Sequence, residues 1–449
     1  LAIVAVDLFC GCGGTSTGLY NACHATGKQV DLLAINHWPV AIATHQANHP
    51  AARHLCARLE SIRPEDAIPG GRVNILVASP ECTHHSVARG GKPVNDQLRS
   101  SAWLVLRWLE SLRVDNLLIE NVREFRDWGP VGSNGKPLKS RKGETYRAWL
   151  NALRSFGYEV DDRILNAADY GDPTSRERLF VLARKGRKAI KWPEPSHGAP
   201  GNLYGLQPYR TAREVIDWSI KGKSIFGRKK PLAPSTMARI AAGLKRYGGA
   251  NAKPFLVMLY GTGEARDIDR PMPTITGGGN HTGLCEPFVV TLTHNGGDDN
   301  RAHSIDKPMP TITGAHRGEM ALVEPFLLGQ QSCAAPRDVD QPVPTIATAG
   351  AISLVEPFLV KYYGAGEGVS STDDPVPTIT TKDRFGLVEI SGKYQIDIRF
   401  RMLQPHELAA AMSFENYTFT GTKTQQTKQI GNAVPVRLAQ ALCTSLMRN

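Results

Sequence analysis

The stretch Asp7-Leu8-Phe9-Cys10-Gly11-Cys12-Gly13-Gly14, entered from the apolar residues 1–6, decides the fold. An apolar run that meets an acid and then breaks into glycines reads as a buried strand turning tightly into a helix. Glycines at such a turn let the backbone approach a ligand closely, and the helix N-terminus behind them favours a carboxylate or phosphate. Taken alone, the motif fits an ordinary strand-to-helix turn equally well. The apolar opening lacks the basic flank of a secretory leader and reads as a first strand.

Outward from this loop, further apolar runs occupy residues 32–35, 73–77, 116–119 and 178–182, separated by helical patterns. Trp103, Leu106, Leu109 and Leu112 mark a buried helix face at three-residue spacing. Alternating strands and helices predict an α/β fold with a doubly wound, mostly parallel sheet. Its ligands belong at the carboxyl ends of the strands.

The chain of 449 residues is long enough for two or three domains, with 41% hydrophobic and 21% charged residues, as in ordinary globular proteins. Without an uninterrupted apolar run of about 18 residues, no membrane span is expected. Eight scattered cysteines show neither a disulfide framework nor zinc spacing, which suits a reducing cytoplasm. Adjacent His84 and His85 point apart in a chain, so no metal site is expected. All of the formal net charge of +11 is accounted for between residues 184 and 246, where fifteen Lys or Arg face only Glu194, Glu214 and Asp217. Such a block suits a polyanion, although a merely solvated surface gives the same pattern.

An internal repeat follows. Pro-Phe recurs at Pro254, Pro287, Pro325 and Pro357, and each pair precedes a Pro-x-Pro-Thr-Ile unit starting at Pro271, Pro308, Pro342 or Pro375. β-branched residues flanked by proline and glycine predict short strands, about two per repeat.

Two strand ends carry candidate chemistry: Ser79-Pro80-Glu81-Cys82 after the third run and Glu120-Asn121-Val122 after the fourth. A lone cysteine is commonly inert packing, and a lone glutamate is commonly a cap or ion-pair partner. From adjacent strand ends, however, a nucleophile and an acid would share one crevice. Further along stand Tyr170-Gly171, Arg176-Glu177-Arg178, Pro377-Thr378-Ile379-Thr380, Leu403-Gln404-Pro405-His406-Glu407 and Gln429-Ile430-Gly431-Asn432-Ala433-Val434-Pro435.

In this order and spacing the motifs resemble the DNA (cytosine-5) methyltransferase family, of bacterial or phage type. The resemblance covers residues 1–182 and 375–449. It implies a Rossmann-like methyltransferase that uses S-adenosyl-L-methionine, a β-rich target-recognition domain, double-stranded DNA as partner, and action as a monomer in a cytoplasm. Residues 1–190 would form the catalytic domain and 191–400 the recognition domain, with its basic segment at 184–250 and repeats at 254–389. Residues 401–449 would return to the catalytic domain. Cys82 would attack C6 of a flipped-out cytosine, Glu120 would act at N3, and Arg178 with Arg176 would hold the base. Asp7, Phe9, Gly11, Cys12, Gly13, Gly14, Asn36, His37, Pro80, Asn432 and Val434 would hold the cofactor. Ser86, Arg89, Lys92, Arg228, Lys229 and Lys230 would contact DNA.

The sequence departs from the family pattern in several places. Glu81 and Thr83 flank the nucleophile where proline and glutamine are usual, and Thr174 stands for a glutamine. Asn36 and His37 replace the acid expected at the ribose hydroxyls. These changes leave open a donor carrying an extra carboxylate. An RNA methyltransferase and a lapsed DNA-binding protein are the other readings.

Overall fold

Ile3–Leu8 form β1, an interior strand of a seven-stranded sheet. A computed structural model describes residues 2–81, 100–132, 136–186, 188–199, 201–225, 228–233, 236, 240, 254–259, 265–275, 281–290, 302–303, 358–361, 369–371, 385–388 and 397–448. Residues 100, 286–290, 302–303, 358–361, 369–371, 385–388 and 397–398 are described by backbone alone.

The other strands of this sheet are β2 (Val30–Asn36), β3 (Arg53–Cys56), β4 (Arg72–Ala78), β5 (Arg113–Asn121), β6 (Tyr158–Asn166) and β7 (Glu177–Lys185). Their order is β3-β2-β1-β4-β5-β7-β6. β1 pairs in parallel with β2 and β4, so that Leu8 sits opposite Ile35 and Ala78. β7 runs antiparallel to both β5 and β6. The winding reverses at β1, with β2 on one side and β4 on the other, which opens a crevice at their carboxyl ends.

The sheet strands are apolar without a break because both faces are buried. One face sets Val6, Leu8, Leu76, Leu117 and Ile119 against Trp108 and Trp149. The other sets Ala5, Ile75, Val77, Leu118 and Phe180 against Leu19, Leu438 and Leu442. The helix Trp103–Ser111 buries Val105, Trp108 and Leu109, with Leu112 just beyond it, while Trp103 and Leu106 are only partly covered. A period of 3.6 residues, not three, sets that face.

The first compact unit comprises Leu1–Asp217, Ile268–Asn280 and Leu403–Asn449; the second comprises Trp218–Asp267 and His281–Met402. The first unit thus runs to residue 217 and takes in the first Pro-x-Pro-Thr-Ile unit. Backbone bonds hold that segment: Ala212 N to Arg270 O at 2.7 Å, Arg213 N to Ile268 O at 2.7 Å and Met272 N to Pro173 O at 2.8 Å. Ala212–Val215 form a single helical turn with a Thr211–Glu214 capping box.

Helix α1 (Gly14–Ala25) packs on the C-terminal helix Val436–Met447 so closely that a Cβ on Gly18 would meet Ala439 Cβ at 2.5 Å. The buried Asp172 accepts from Leu438 N at 2.9 Å and Arg437 N at 3.2 Å, satisfying the free N–H groups at that helix start. Burial pushes its pKa up to about 7.

In the second unit, Lys223–Ser224, Asp397–Met402, Thr282–Val290, Phe255–Met258 and Ala265–Asp267 make an antiparallel sheet in that order. Phe255, Val257, Cys285 and Phe400 form its core. The first and fourth repeats share one register: Phe255 pairs with Asp267 and Cys285, and Phe358 pairs with Ser371 and Val388. The units at Pro308, Pro342 and Pro375 lie outside the described residues. Among the described residues, no helix is long and apolar enough to cross a membrane.

Candidate active site

The glycine loop leaves β1 through three left-handed positions: Phe9 (φ 61°), Gly11 (φ 54°) and Gly13 (φ 100°). A non-glycine aromatic at positive φ stores backbone strain, a feature that concentrates at functional sites. Cys10 N donates to Ile35 O at 3.0 Å, tying the loop to β2. A Cβ on Gly14 would stand 2.2 Å from the carbonyl oxygen of Val434. Only glycine therefore admits residues 431–435 against the start of α1. Asn432 is exposed at the end of the helix Lys423–Asn432, and Cys12 Sγ lies 3.5 Å from Gln429 O.

Beneath the loop lies a buried polar chain that the sequence did not disclose. Ser16 Oγ donates to Asp7 Oδ2 at 2.6 Å and stands 2.9 Å from His45 Nε2, while His45 Nδ1 lies 2.9 Å from His54 Nε2. His49 Nε2 lies 2.9 Å from Thr17 Oγ1, which donates to Gly13 O at 2.7 Å. The Tyr417 hydroxyl donates to Cys12 O. Burial pushes Asp7 up to about 7, lowers His45 to about 2 and lowers His49 to about 4. Nearby His54 adds to the lowering of both histidines. The two imidazoles are therefore neutral at neutral pH. Asp7 and Cys12 are 1% exposed, and they support the loop from below.

Above the carboxyl ends of β1–β4 opens a cleft. Phe9, Ile35, Leu59 and Leu104 give it apolar walls, and Asn36, His37, Arg58, Glu60 and Glu81 give it a polar rim. Asn36 Oδ1 accepts from Trp38 N at 2.9 Å, which turns the side chain chiefly into a donor. His37 Nδ1 lies 3.9 Å from Glu81 Oε1, two half-exposed groups facing one another. Arg58, Leu59 and Glu60 follow β3, a strand with no apolar run to announce it.

The ends of β5 and β7 meet beside this cleft. Glu120 is buried, and its Oε1 lies 3.2 Å from Arg178 Nε. Asn121 Nδ2 donates to Pro80 O at 3.1 Å, fixing the end of β4 against β5. Arg176 points elsewhere: it is 2% exposed, and its Nη1 donates to Ile275 O at 2.8 Å. With Thr174 Oγ1 donating to Met272 O at 2.9 Å, it clamps the first Pro-x-Pro-Thr-Ile unit to the segment that leads into β7.

Cys82, Thr83, His84, His85, Ser86, Arg89 and Lys92 lie outside the described residues. In the second unit Arg228 is turned onto backbone, with Nη2 donating to Lys223 O at 2.7 Å and to Phe400 O at 3.0 Å; Lys229 and Lys230 are exposed. Among the described residues, no group of three or more His, Cys, Asp or Glu is placed to hold a metal ion.

A mostly parallel sheet with its crevice at β1 and β4, a glycine loop and a Glu–Arg pair at the next strand ends define a methyltransferase-type site. The C-5 cytosine-specific DNA methylase family matches residues 3–216 and 349–448, and the chain belongs to that family. Among curated relatives it is similar to the Type II methyltransferase M.AquIA of Picosynechococcus sp., 29% identical over 227 residues, 47% of this chain and 86% of that protein. It is also similar to M.AgeI of Thalassovita gelatinovora, 31% identical over 43% of this chain and 42% of that protein. A third relative, M.XorII of Xanthomonas oryzae pv. oryzae, is 29% identical over 54% of each chain. The chain thus spans about half the length, or less, of the latter two.

Proposed function

We propose that this chain transfers a methyl group from S-adenosyl-L-methionine to C5 of a cytosine flipped out of double-stranded DNA. The observation that carries this reading is the Glu120–Arg178 pair, held at 3.2 Å at adjacent strand ends, one bond network away from Pro80. Cys82 follows Pro80 by two residues. Cytosine C5 is a poor nucleophile while the ring is aromatic. Addition of the Cys82 thiolate to C6 breaks the aromaticity and moves an electron pair toward C5. Glu120, once it has taken up a proton from solvent, then serves as the hydrogen-bond donor or proton source at N3, where negative charge collects. Arg178 orients Glu120 and offers the remaining N–H groups of its fork to the exocyclic oxygen. Loss of the C5 proton to a base and departure of the thiol restore the aromatic ring.

The cleft suits an adenosine-bearing cofactor: Phe9, Ile35, Leu59 and Leu104 enclose an aromatic base, and Asn36 and His37 supply polar contacts for a ribose. When bound, the cofactor supplies an electrophilic methyl group at its sulfonium. The fixed Gly11–Gly14 turn and Asn432 would flank its amino-acid end. In the second unit, Lys229 and Lys230 are the better phosphate contacts, since Arg228 is held by carbonyls.

The test is mechanism-based trapping. A random-sequence duplex in which 5-fluorocytosine replaces cytosine should give a stable protein–DNA adduct with S-adenosyl-L-methionine present, because fluorine cannot leave as the C5 proton does. Cys82→Ser should give none while still binding duplex. An undiminished adduct in Cys82→Ser would contradict the assignment.

A further inference from the structure

The loop joining the short strands His197–Gly198 and Gln207–Pro208 carries the two most exposed large apolar side chains among the described residues, Leu203 at 98% and Tyr204 at 87%. Their backbone is fixed from within. Asn202 Nδ2 donates to Ala199 O at 3.1 Å and Leu206 O at 3.0 Å, and its Oδ1 accepts from Tyr204 N at 3.2 Å and Leu206 N at 2.9 Å. Gly201 and Gly205 turn the chain at positive φ on either side. Single exposed apolar residues need no explanation. Two neighbours presented on a turn braced by Asn202 are different, because part of the ordering that binding normally costs is already in place.

The base of the loop is hooked to the catalytic edge of the sheet. Ser196 N donates to Asp169 O at 2.9 Å, and the Tyr209 hydroxyl donates to Asp169 Oδ1 at 2.8 Å. The His197 ring fills the space where a Cβ on Gly171 would sit, 2.6 Å from its Cε1. Asp169 follows β6, whose last residue Asn166 pairs with Glu177, next to the Arg178 that meets Glu120. The loop also lies within the basic segment, and Lys188 and Lys191 before it are exposed. An apolar tip carried on a stretch of basic sequence matches one partner chemistry well: a duplex, with phosphates outside and stacked bases within.

We propose that Leu203 and Tyr204 form a DNA-contacting tip, which packs into a groove of the duplex and against base or sugar faces while neighbouring lysines take phosphates. This rests on the reading of the chain as a DNA methyltransferase. The test compares wild type with Leu203→Ser/Tyr204→Ser for binding to a short random-sequence duplex, and for methyl incorporation into unmethylated plasmid DNA. Removing an aromatic stacking contact should weaken duplex binding by about tenfold and raise the KM for DNA, with thermal midpoint and cofactor affinity unchanged. A Tyr204→Trp variant should bind like wild type and show duplex-dependent quenching of the added indole. Unchanged binding in the double variant, or an indole that duplex does not affect, overturns the tip. Wild-type protein that methylates no DNA overturns the parent reading instead, whatever the binding arm shows.

Discussion

Arg178 and Glu120 face each other at 3.2 Å from neighbouring antiparallel strands, one leading away from the catalytic edge and the other arriving at it. The pair is mostly buried, so each charge depends on the other for its solvation. Glu120→Gln keeps the shape but removes the group that can take up a proton and pass it to N3, and should lower the rate of methyl incorporation by at least about a hundredfold. Cofactor affinity should be unchanged. Arg178→Ala should both abolish activity and destabilise the fold, on the order of 3 kcal/mol, because it leaves a buried carboxylate alone. A double-mutant cycle on denaturant midpoints reads the coupling; additive effects would contradict the pairing.

Gly14 is required by contact with the Val434 carbonyl, not by its φ angle. Gly14→Ala should cost about 1–3 kcal/mol, because the neighbour is backbone and cannot swing aside. It should also weaken cofactor binding, since residues 431–435 flank the loop. Calorimetric midpoint and equilibrium binding check both, and an unaltered midpoint would show that the C-terminal segment yields at this point.

The buried imidazoles set a pH dependence with a definite sign. His49 titrates near 6.5 when unfolded and about 4 when folded, so the unfolded chain binds more protons between these values. Its contribution to stability is present above pH 6.5 and is lost as pH falls toward 4; His45 acts in the same direction. Asp7, raised to about 7, opposes them: its contribution is present below about pH 4 and is lost as pH rises through 7. Thermal melts of His49→Gln should therefore show a shallower acid-side fall than wild type between pH 4 and 6.5. Parallel curves would show that His49 is protonated in the fold.

The division of labour among the cations of the second unit follows from Arg228. Lys229→Ala/Lys230→Ala should lower the slope of log affinity against log salt by up to about 0.9 per true phosphate contact. Arg228→Ala should leave that slope unchanged and lower the thermal midpoint, because its guanidinium holds the Lys223 and Phe400 carbonyls. A steep fall in slope from Arg228→Ala alone would return the phosphate role to it.

The strands that were legible in the sequence are those buried on both faces, where Ile75, Leu76 and Val77 leave no gap. β3 and β6 escaped because Arg53 to Cys56 is an exposed edge and Tyr158 to Asn166 alternates with charges. Motif order located Glu120 and Arg178, since each ends or begins a strand at the crevice. It did not separate Arg176 from Arg178, whose roles depend on Ile275, almost a hundred residues away. Nor could it show the Asp7–Ser16–His45–His54 chain, because histidines spaced along one helix and a following edge strand carry no local signature of a shared network. The first Pro-x-Pro-Thr-Ile unit looked like its copies, and its bonds to Pro173, Thr174, Arg176, Ala212 and Arg213 set it in the first unit while the strands of its repeat stay in the second.

The most direct test of the central claim is the mass of the cytosine nucleosides in DNA from cells expressing this chain. Digestion and mass spectrometry should reveal 5-methyl-2′-deoxycytidine in wild-type DNA and none with Cys82→Ser or Glu120→Gln. A modified cytosine heavier than one methyl would instead identify a donor other than S-adenosyl-L-methionine, acting through Asn36, His37 and Arg58. DNA with only unmodified cytosine, from cells in which the folded protein is abundant, would contradict the account.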